Sequence, residues 1–195
     1  MKDLSIYILA GGKSSRMGRN KGLVEIAGKP MVQYLVETLI EIPFPAQIIA
    51  HDAAYHQFGL EVIEDEIPEK GPLGGLLTAL RHASKNAVCL LSCDMPFLKK
   101  ETLKSLIAQS DDYSITISSF KNRIYPFPGI YPLGVTSSVE EHVAANKLKL
   151  QNFILEKPHQ IFPLDAFSEQ CALEFLNINT PEDSVKAETW LRNNS

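Results

Sequence analysis

Short apolar runs alternate with helical patterns along the first half of this chain, and that alternation constrains the fold more than any other feature. Residues 5–10 (SIYILA) form a β-type run closed by Gly11-Gly12. Residues 46–51 (AQIIAH) and 60–65 (LEVIED) form two more, each leading into a polar loop, and 86–96 (NAVCLLSCDMP) is a strongly apolar strand that stops at Asp94. Residues 23–28 (LVEIAG) read as a short strand ending at a turn. Helices lie between these runs. Pro30 suits a first helical position, Met31, Tyr34, Leu35, Thr38 and Leu39 recur at helical spacing, and Pro43 and Pro45 end the element. Residues 72–83 (PLGGLLTALRHA) read as a second helix despite two glycines. Strands separated by helices of about 10–15 residues make βαβ units and a parallel sheet covered on both faces. The expected fold is α/β, a single Rossmann-like three-layer domain with a mainly parallel sheet and helices on both faces.

The second half is less regular. Residues 100–109 look helical, with Leu103, Leu106 and Ile107 as the apolar stripe, while 113–120 alternate like a strand and 123–133 read as a proline-broken one. Helices are expected over 135–146 and 181–192. The last follows Thr180-Pro181-Glu182-Asp183, where Thr caps, Pro takes the first position and two acids favour the helix dipole. No linker, repeat or low-complexity tract divides the 195 residues, so 1–195 is expected to be one domain.

Composition narrows the function classes. No run of about 18 apolar residues exists, so no membrane span is expected. The N-terminus lacks the basic region and longer apolar core of a signal peptide. Cys89 and Cys93 do not have CxxC spacing and Cys171 lies far off, which points to reduced thiols in the cytoplasm and no zinc site. A net charge of −4 argues against broad nucleic-acid binding. Yet residues 13–29 carry Lys13, Arg16, Arg19, Lys21 and Lys29 against Glu25 alone, so the other residues carry eight more acids than bases. A positive segment in an acidic chain is either a solvated basic loop or an anion site.

That segment lies in LAGGKSSRMGRNKG (9–22), directly after the first strand. The loop is not GxxxxGK[ST], because five residues separate Gly12 from Gly18 and Arg19 stands where Lys is required. Nor is it GxGxxG, since Gly11 and Gly12 are adjacent. Adjacent glycines nonetheless let backbone N–H groups approach an anion, and Arg16 and Lys21 supply charge at loop reach. A site there would sit at the carboxyl end of a strand, where open α/β sheets bind ligands. A Gly-rich surface turn with scattered basic residues is the plainer alternative.

Leu9-Ala10-Gly11-Gly12-Lys13-Ser14-Ser15-Arg16-Met17-Gly18, then Asn20-Lys21-Gly22, closely resembles the signature of nucleoside-triphosphate-dependent nucleotidyltransferases. In detail it is similar to the molybdenum cofactor guanylyltransferase family, which attaches GMP to molybdopterin. Gly28-Lys29-Pro30-Met31, Val62-Ile63-Glu64-Asp65, Gly71-Pro72-Leu73-Gly74-Gly75, Cys93-Asp94-Met95-Pro96 and Asn177-Ile178-Asn179-Thr180-Pro181-Glu182-Asp183 match that family in order. Many cytidylyl relatives read Leu-Ala-Ala-Gly in the first loop, so the double glycine together with "N-NTPE" narrows the resemblance to the guanylyl enzymes.

The resemblance implies that GMP passes from GTP to the terminal phosphate of molybdopterin, releasing pyrophosphate. It implies a nucleotide-binding N-terminal half and a pterin-substrate side in the C-terminal half. Leu9, Ala10, Gly11, Gly12, Lys21, Asp65 and Asp94 would contact the nucleotide, with Arg16, Lys21 and Asp94 carrying catalysis and Asp94 holding Mg²⁺. Magnesium is held by one or two carboxylates plus substrate phosphates, which suits a lone acid at a strand tip. Asn177 and Asn179 are candidate contacts to the pterin; capping of the turn before Pro181 explains them equally well. Lys147 and Lys149 are read as a solvated helix end.

Guanine offers N1–H and N2–H₂ donors, so its pocket needs acceptors, for which the carbonyls at Leu9-Ala10 or the Asp65 carboxylate are candidates. Family members commonly place an asparagine after the second strand; this chain has Ala50-His51-Asp52 there, with His51 or Asp52 as candidate substitutes. Two competing readings are another nucleotidyltransferase of the same fold, CTP-using or acting on a sugar phosphate, and a non-catalytic GTP-binding adaptor. Retention of Arg16, Lys21 and Asp94 together disfavours the adaptor. The lability of molybdopterin makes other molybdenum-cofactor proteins plausible delivery partners.

Overall fold

The apolar runs do pair as one sheet. The structure is a computed structural model that describes residues 2–11, 20–164 and 171–193, with the backbone alone at 171 and 172. Strand β1 (Leu4–Leu9) is followed by a ribbon of β2 (Glu25–Ile26) and β3 (Lys29–Pro30), helix α1 (Met31–Leu39), β4 (Ala46–Ile49), β5 (Glu61–Ile63), α2 (Gly71–His82) and β6 (Ala87–Ser92). The second half holds α3 (Lys100–Gln109), β7 (Ile115–Phe120), β8 (Arg123–Pro132), α4 (Thr136–Ala144), α5 (Leu150–Leu155), β9 (His159–Pro163), α6 (Cys171–Glu174) and α7 (Pro181–Asn193). The main sheet has seven strands in the order β5-β4-β1-β6-β8-β7-β9. Its pairings are parallel except those of β8 with β6 and β7, so β8 alone runs against the rest.

Strand alternation sorts the side chains into two layers of core. Leu4, Ile6 and Ile8 of β1, with Cys89 and Leu91 of β6, face α1 and α3 through Val32, Leu35, Leu103 and Leu106. Tyr7, Val88 and Leu90 face the other way, onto Leu73, Leu76 and Leu77 of α2, Val139 of α4 and Phe153 of α5. Both faces of the central strands are therefore dry, which is why those runs are continuously apolar rather than alternating. Each fully buried aliphatic chain contributes about 1.5–3 kcal/mol.

The glycines that seemed out of place in α2 are there for close approach. A Cβ at Gly74 would lie 2.6 Å from the Ile67 carbonyl oxygen, and one at Gly75 would lie 2.7 Å from Leu9 Cδ2. Helix α2 thus seats against the loop before it and against the end of β1.

Two expectations are corrected. Pro30 does not begin α1; it ends β3 at φ −56° and ψ 138°, one residue ahead of the helix. Its fixed φ suits that position, while its extended ψ lets it pair with Glu25. Residues 123–132 are not broken by proline either, but form one ten-residue strand. Pro126 and Pro128 fall where pairing jumps from Ile117 with Gly129 to Ser118 with Tyr125, so their missing N–H groups interrupt no ladder there. Helix α5 and edge strand β9 were not foreseen. Among the described residues no helix is long and apolar enough to cross a membrane.

Candidate functional site

Strands β1, β4 and β6 are parallel neighbours, so their carboxyl ends open on one rim and bring together the segments after Leu9, Ile49 and Ser92. Backbone bonds continue past the strands. Cys93 N donates to Leu9 O at 3.0 Å, and Ala10 N donates to Ile49 O at 3.0 Å. The Leu9 and Ala10 carbonyls, candidate guanine acceptors, each already take one structural donor: Cys93 N at Leu9 and the Tyr55 hydroxyl at 3.1 Å from Ala10.

On this rim Lys21 meets Asp94. Lys21 begins a 3₁₀ turn, Lys21–Leu23, and its Nζ donates to Asp94 Oδ2 at 2.8 Å. Each side chain is 20% exposed, so the pair is shielded yet open to a ligand. The Ser92 hydroxyl donates to Asp94 Oδ1 at 2.6 Å, which leaves the carboxylate held at both oxygens. Lys21 Nζ also donates to the Asn179 side-chain oxygen. The chain's C-terminal segment docks here through its backbone, Ile178 N donating to Asp94 O at 2.9 Å while the Ile178 side chain is buried against Ile26, Met31 and Ala187.

That docking is fixed by the start of α7. Asp183 Oδ2 accepts from Asn179 N at 3.1 Å and Thr180 N at 3.0 Å, and Thr180 Oγ1 accepts from Asp183 N at 3.2 Å. This reciprocal cap is the one that Thr-Pro-Glu-Asp implied, and it sets the place of Asn179. Chiefly the Asn179 N–H, with both Thr180 donors, holds the Asp183 carboxyl below the usual carboxylate range.

The structure thus brings Lys21, Asp94 and Asn179 together, with Leu9 and Ala10 beside them. Asn179, a candidate pterin contact or cap, bonds Lys21 through its side-chain oxygen; Asn177 sits half-buried on the other side of Ile178. Asp65 turns toward α2, its Oδ1 accepting from Thr78 Oγ1 at 2.8 Å and Ile67 N at 3.0 Å. Asp52 accepts from the Asn20 amide and from Ala54 N at 2.8 Å, and His51 Nδ1 lies 3.2 Å from Glu64 Oε1. Arg16 and Gly12 lie outside the described residues. Ser92, which sequence reasoning passed over, is a small polar residue two before Asp94, and only the turn geometry reveals its hydroxyl on that carboxylate.

The donor set fits a hard cation of the magnesium type. Among the described residues no group of three or more His, Cys, Asp or Glu gathers, so a metal must draw most of its ligands from substrate and water. Asp94 already holds a cation, the Lys21 ammonium, on Oδ2. Cys93 adds nothing: burial first, then the Asp94 charge, push its thiol up to about 12, so no thiolate forms near neutrality. Cys89 and Cys93 are both free and buried.

A cavity of ≈ 320 Å³ has Pro72 of α2, Phe127 of β8, and Lys149, Gln151 and Asn152 at the start of α5 among its lining. Phe127 also packs on the apolar cluster of Met95, Phe120, Leu164 and Phe175.

The chain is similar to known proteins along most of its length. The family model described as the MobA-like NTP transferase domain matches residues 6–161. A probable molybdenum cofactor guanylyltransferase of Carboxydothermus hydrogenoformans is 36% identical over 188 residues, 95% of each chain. One from Flavobacterium johnsoniae is 32% identical over 184 residues, covering 94% of this chain and 95% of its own. Among solved structures, molybdopterin-guanine dinucleotide biosynthesis protein A from Archaeoglobus fulgidus superposes with a TM-score of 0.82 at 24% identity, covering 97% of this chain and 99% of its own, a likeness of fold.

Proposed function

The chain belongs to the MobA-like NTP transferase family and is a nucleotidyltransferase, and from that premise we propose that it transfers GMP from GTP to the terminal phosphate of molybdopterin, releasing pyrophosphate. The observation that carries the reading is the Lys21–Asp94 pair, held by Ser92 and Asn179 at the carboxyl ends of β1 and β6. A shielded cation beside a fixed carboxylate is what a triphosphate and its counter-ion require.

The acceptor is a phosphomonoester whose second pKa is about 6, so its oxygen attacks the α-phosphorus without a side-chain base. The residues then act by positioning and charge neutralisation. Backbone from Leu9 to Gly12 holds the nucleotide. Lys21 offsets charge on the departing pyrophosphate, with Arg16 assigned the same task. Asp94 would hold Mg²⁺, which when bound neutralises phosphate charge and polarises the α-phosphate. The pterin is assigned to the cavity at Phe127, Lys149 and Gln151, whose ring, ammonium and amide suit a flat, anionic, hydrogen-bonding substrate. The cytoplasm, with its reduced thiols, is the setting assigned to this reaction, and other molybdenum-cofactor proteins are assigned as recipients of the product.

Pyrophosphate release from purified protein with Mg²⁺, molybdopterin and either GTP or CTP tests the reading. Steady release with GTP at more than about tenfold the CTP rate is expected, the worth of roughly one lost base contact. Equal or faster release with CTP would replace guanylyl by cytidylyl transfer, and no release with either would reduce the chain to a binding module.

A further inference from the structure

Lys21 stands at the far side of the glycine-rich loop from β1, and something must fix the distance between the two ends. The first end is Ala10; the second is Asn20-Lys21-Gly22. A six-residue 3₁₀ segment, Ala53–Phe58, lies against both. Its Tyr55 is fully buried, packed in the core under β1 and β4, and its hydroxyl donates to the Ala10 carbonyl at 3.1 Å. The same oxygen packs closely against Gly22. Gly22 must be glycine for that approach, because a Cβ there would meet Tyr55 Oη at 2.7 Å. Burial keeps the phenol well above its ordinary pKa, so it stays a donor to Ala10 across the working pH range. One residue before Lys21, the Asn20 amide donates to Asp52, whose other oxygen caps the 3₁₀ segment through Ala54 N at 2.8 Å. Lys21 thus lies between two residues held by this segment, Asn20 through a hydrogen bond and Gly22 through packing.

We propose that Tyr55 is a positioning residue for nucleotidyl transfer: its hydroxyl, bonded to Ala10 at one end of the loop and packed against Gly22 at the other, sets the spacing that holds the Lys21 ammonium against Asp94, with Asp52 as a tether through Asn20. This rests on the reading of Lys21 as the cation of the leaving group. It also gives Asp52 a task, since its carboxylate is spent on Asn20 and Ala54.

Tyr55→Phe removes the hydroxyl and keeps the buried ring. Misplacing a charged group by about an ångström costs on the order of 100-fold, and a loosened tether gives part of that. The expected result is a drop in kcat of about tenfold or more, with the KM for GTP moving less than about threefold. In a Lys21→Ala background the same Tyr55→Phe change is expected to cost less than about twofold, because Tyr55 acts through Lys21. A purely structural tyrosine would lower the melting temperature and leave both the kcat/KM split and the non-additivity absent; additive losses, or an unchanged kcat, overturn the proposal. Asp52→Asn, which leaves an oxygen for Ala54 N but opposes Asn20 with an amide, is expected to give a smaller loss in the same direction, and it decides the matter should Tyr55→Phe not fold. If the wild-type chain releases no pyrophosphate, the functional reading falls but this one is still read from calorimetric affinity for GTP with Mg²⁺: weaker binding in Tyr55→Phe, with no further weakening in the Lys21→Ala background, sustains it, and any other pattern refutes it.

Discussion

Asp183→Ala tests whether the start of α7 serves the site as well as the fold. The substitution removes the acceptor of two backbone N–H groups, Asn179 and Thr180, and leaves the Thr180 hydroxyl on Asp183 N intact, so half of the reciprocal cap survives. Loss of a capping side chain costs about 0.5–2 kcal/mol, and about 1 kcal/mol is the working value. For a domain near this size that lowers the melting temperature by about 2–4 °C. Asn179 also loses the bond that sets its backbone, and its side chain holds Lys21. One hydrogen bond's worth of orientation, about 1 kcal/mol, is about fivefold in kcat. The pH dependence follows from the direction of the shift. Asp183 has its folded pKa lowered, so its contribution is present above the unfolded value near 3.9 and fades as pH falls through the folded pKa. Melting wild type and variant from pH 7 to pH 3 by calorimetry should give a constant gap down to about pH 5 that closes toward pH 3. A gap as large at pH 3 as at pH 7 would refute the capping argument, and an unchanged kcat at full folding would refute the link to Lys21.

Lys21→Ala and Asp94→Ala are each expected to cut turnover at least about 100-fold while circular dichroism stays native, since a partly exposed ion pair contributes about 0–1 kcal/mol to stability; near-normal turnover by either purified variant removes its assigned role. Gly74→Ala should lower the melting temperature even though alanine favours helix by about 1 kcal/mol: its Cβ would sit 2.6 Å from a backbone carbonyl, and such overpacking costs about 1–3 kcal/mol. Lys149→Ala is expected to raise the KM for molybdopterin about tenfold and leave that for GTP alone, which steady-state kinetics with each substrate varied would show. Lys29→Ala should leave the KM for GTP within about twofold of wild type, because a local salt bridge on a surface helix, not a phosphate, is its partner.

The fold was legible wherever burial on both faces wrote a continuous apolar run. Residues 5–10 and 86–96 became central parallel strands buried on both faces, and 46–51 and 60–65 contain the shorter, partly exposed strands that extend the sheet to its edge. It was not legible where context overrides local rules: Pro126 and Pro128 sit in a strand because the register shifts there, and α5 is only six residues long. Within the site, Lys21 and Asp94 were singled out by the motifs they share with the family, since an acid at a strand tip is also explained by a turn. Their mutual contact was not, being 73 residues apart in sequence. Asn179 was read as a substrate contact or a cap, and a sequence holds no signal that its amide oxygen turns to a lysine 158 residues away. Asp65 and Asp52 show the converse, since an acid at a strand end serves a turn as readily as a ligand, and both carboxylates bond nearby backbone and side chains.

The charge pattern acquires a different meaning once these partners are known. Five basic residues against Glu25 in 13–29 read as a concentrated positive patch. Lys29, however, donates to Glu37 at 2.7 Å and lies 4.7 Å from the Tyr34 ring centre, so it is neutralised on α1. Lys21 is balanced by Asp94. Among the described cations of this segment, then, none presents an uncompensated charge to solvent, and Lys13, Arg16 and Arg19 lie outside the described residues. A pair that is neutral at rest has little long-range pull on nucleic acid or any other polyanion, because its field falls off faster than that of a lone charge and is screened within about 10 Å. In the proposed reaction the two halves would separate in function, the ammonium toward phosphate oxygens and the carboxylate toward the counter-ion that a triphosphate carries. Under the proposed function, pairing Lys21 with Asp94 would favour a compact triphosphate over a long polyanion, and the net charge of −4 would work in the same direction.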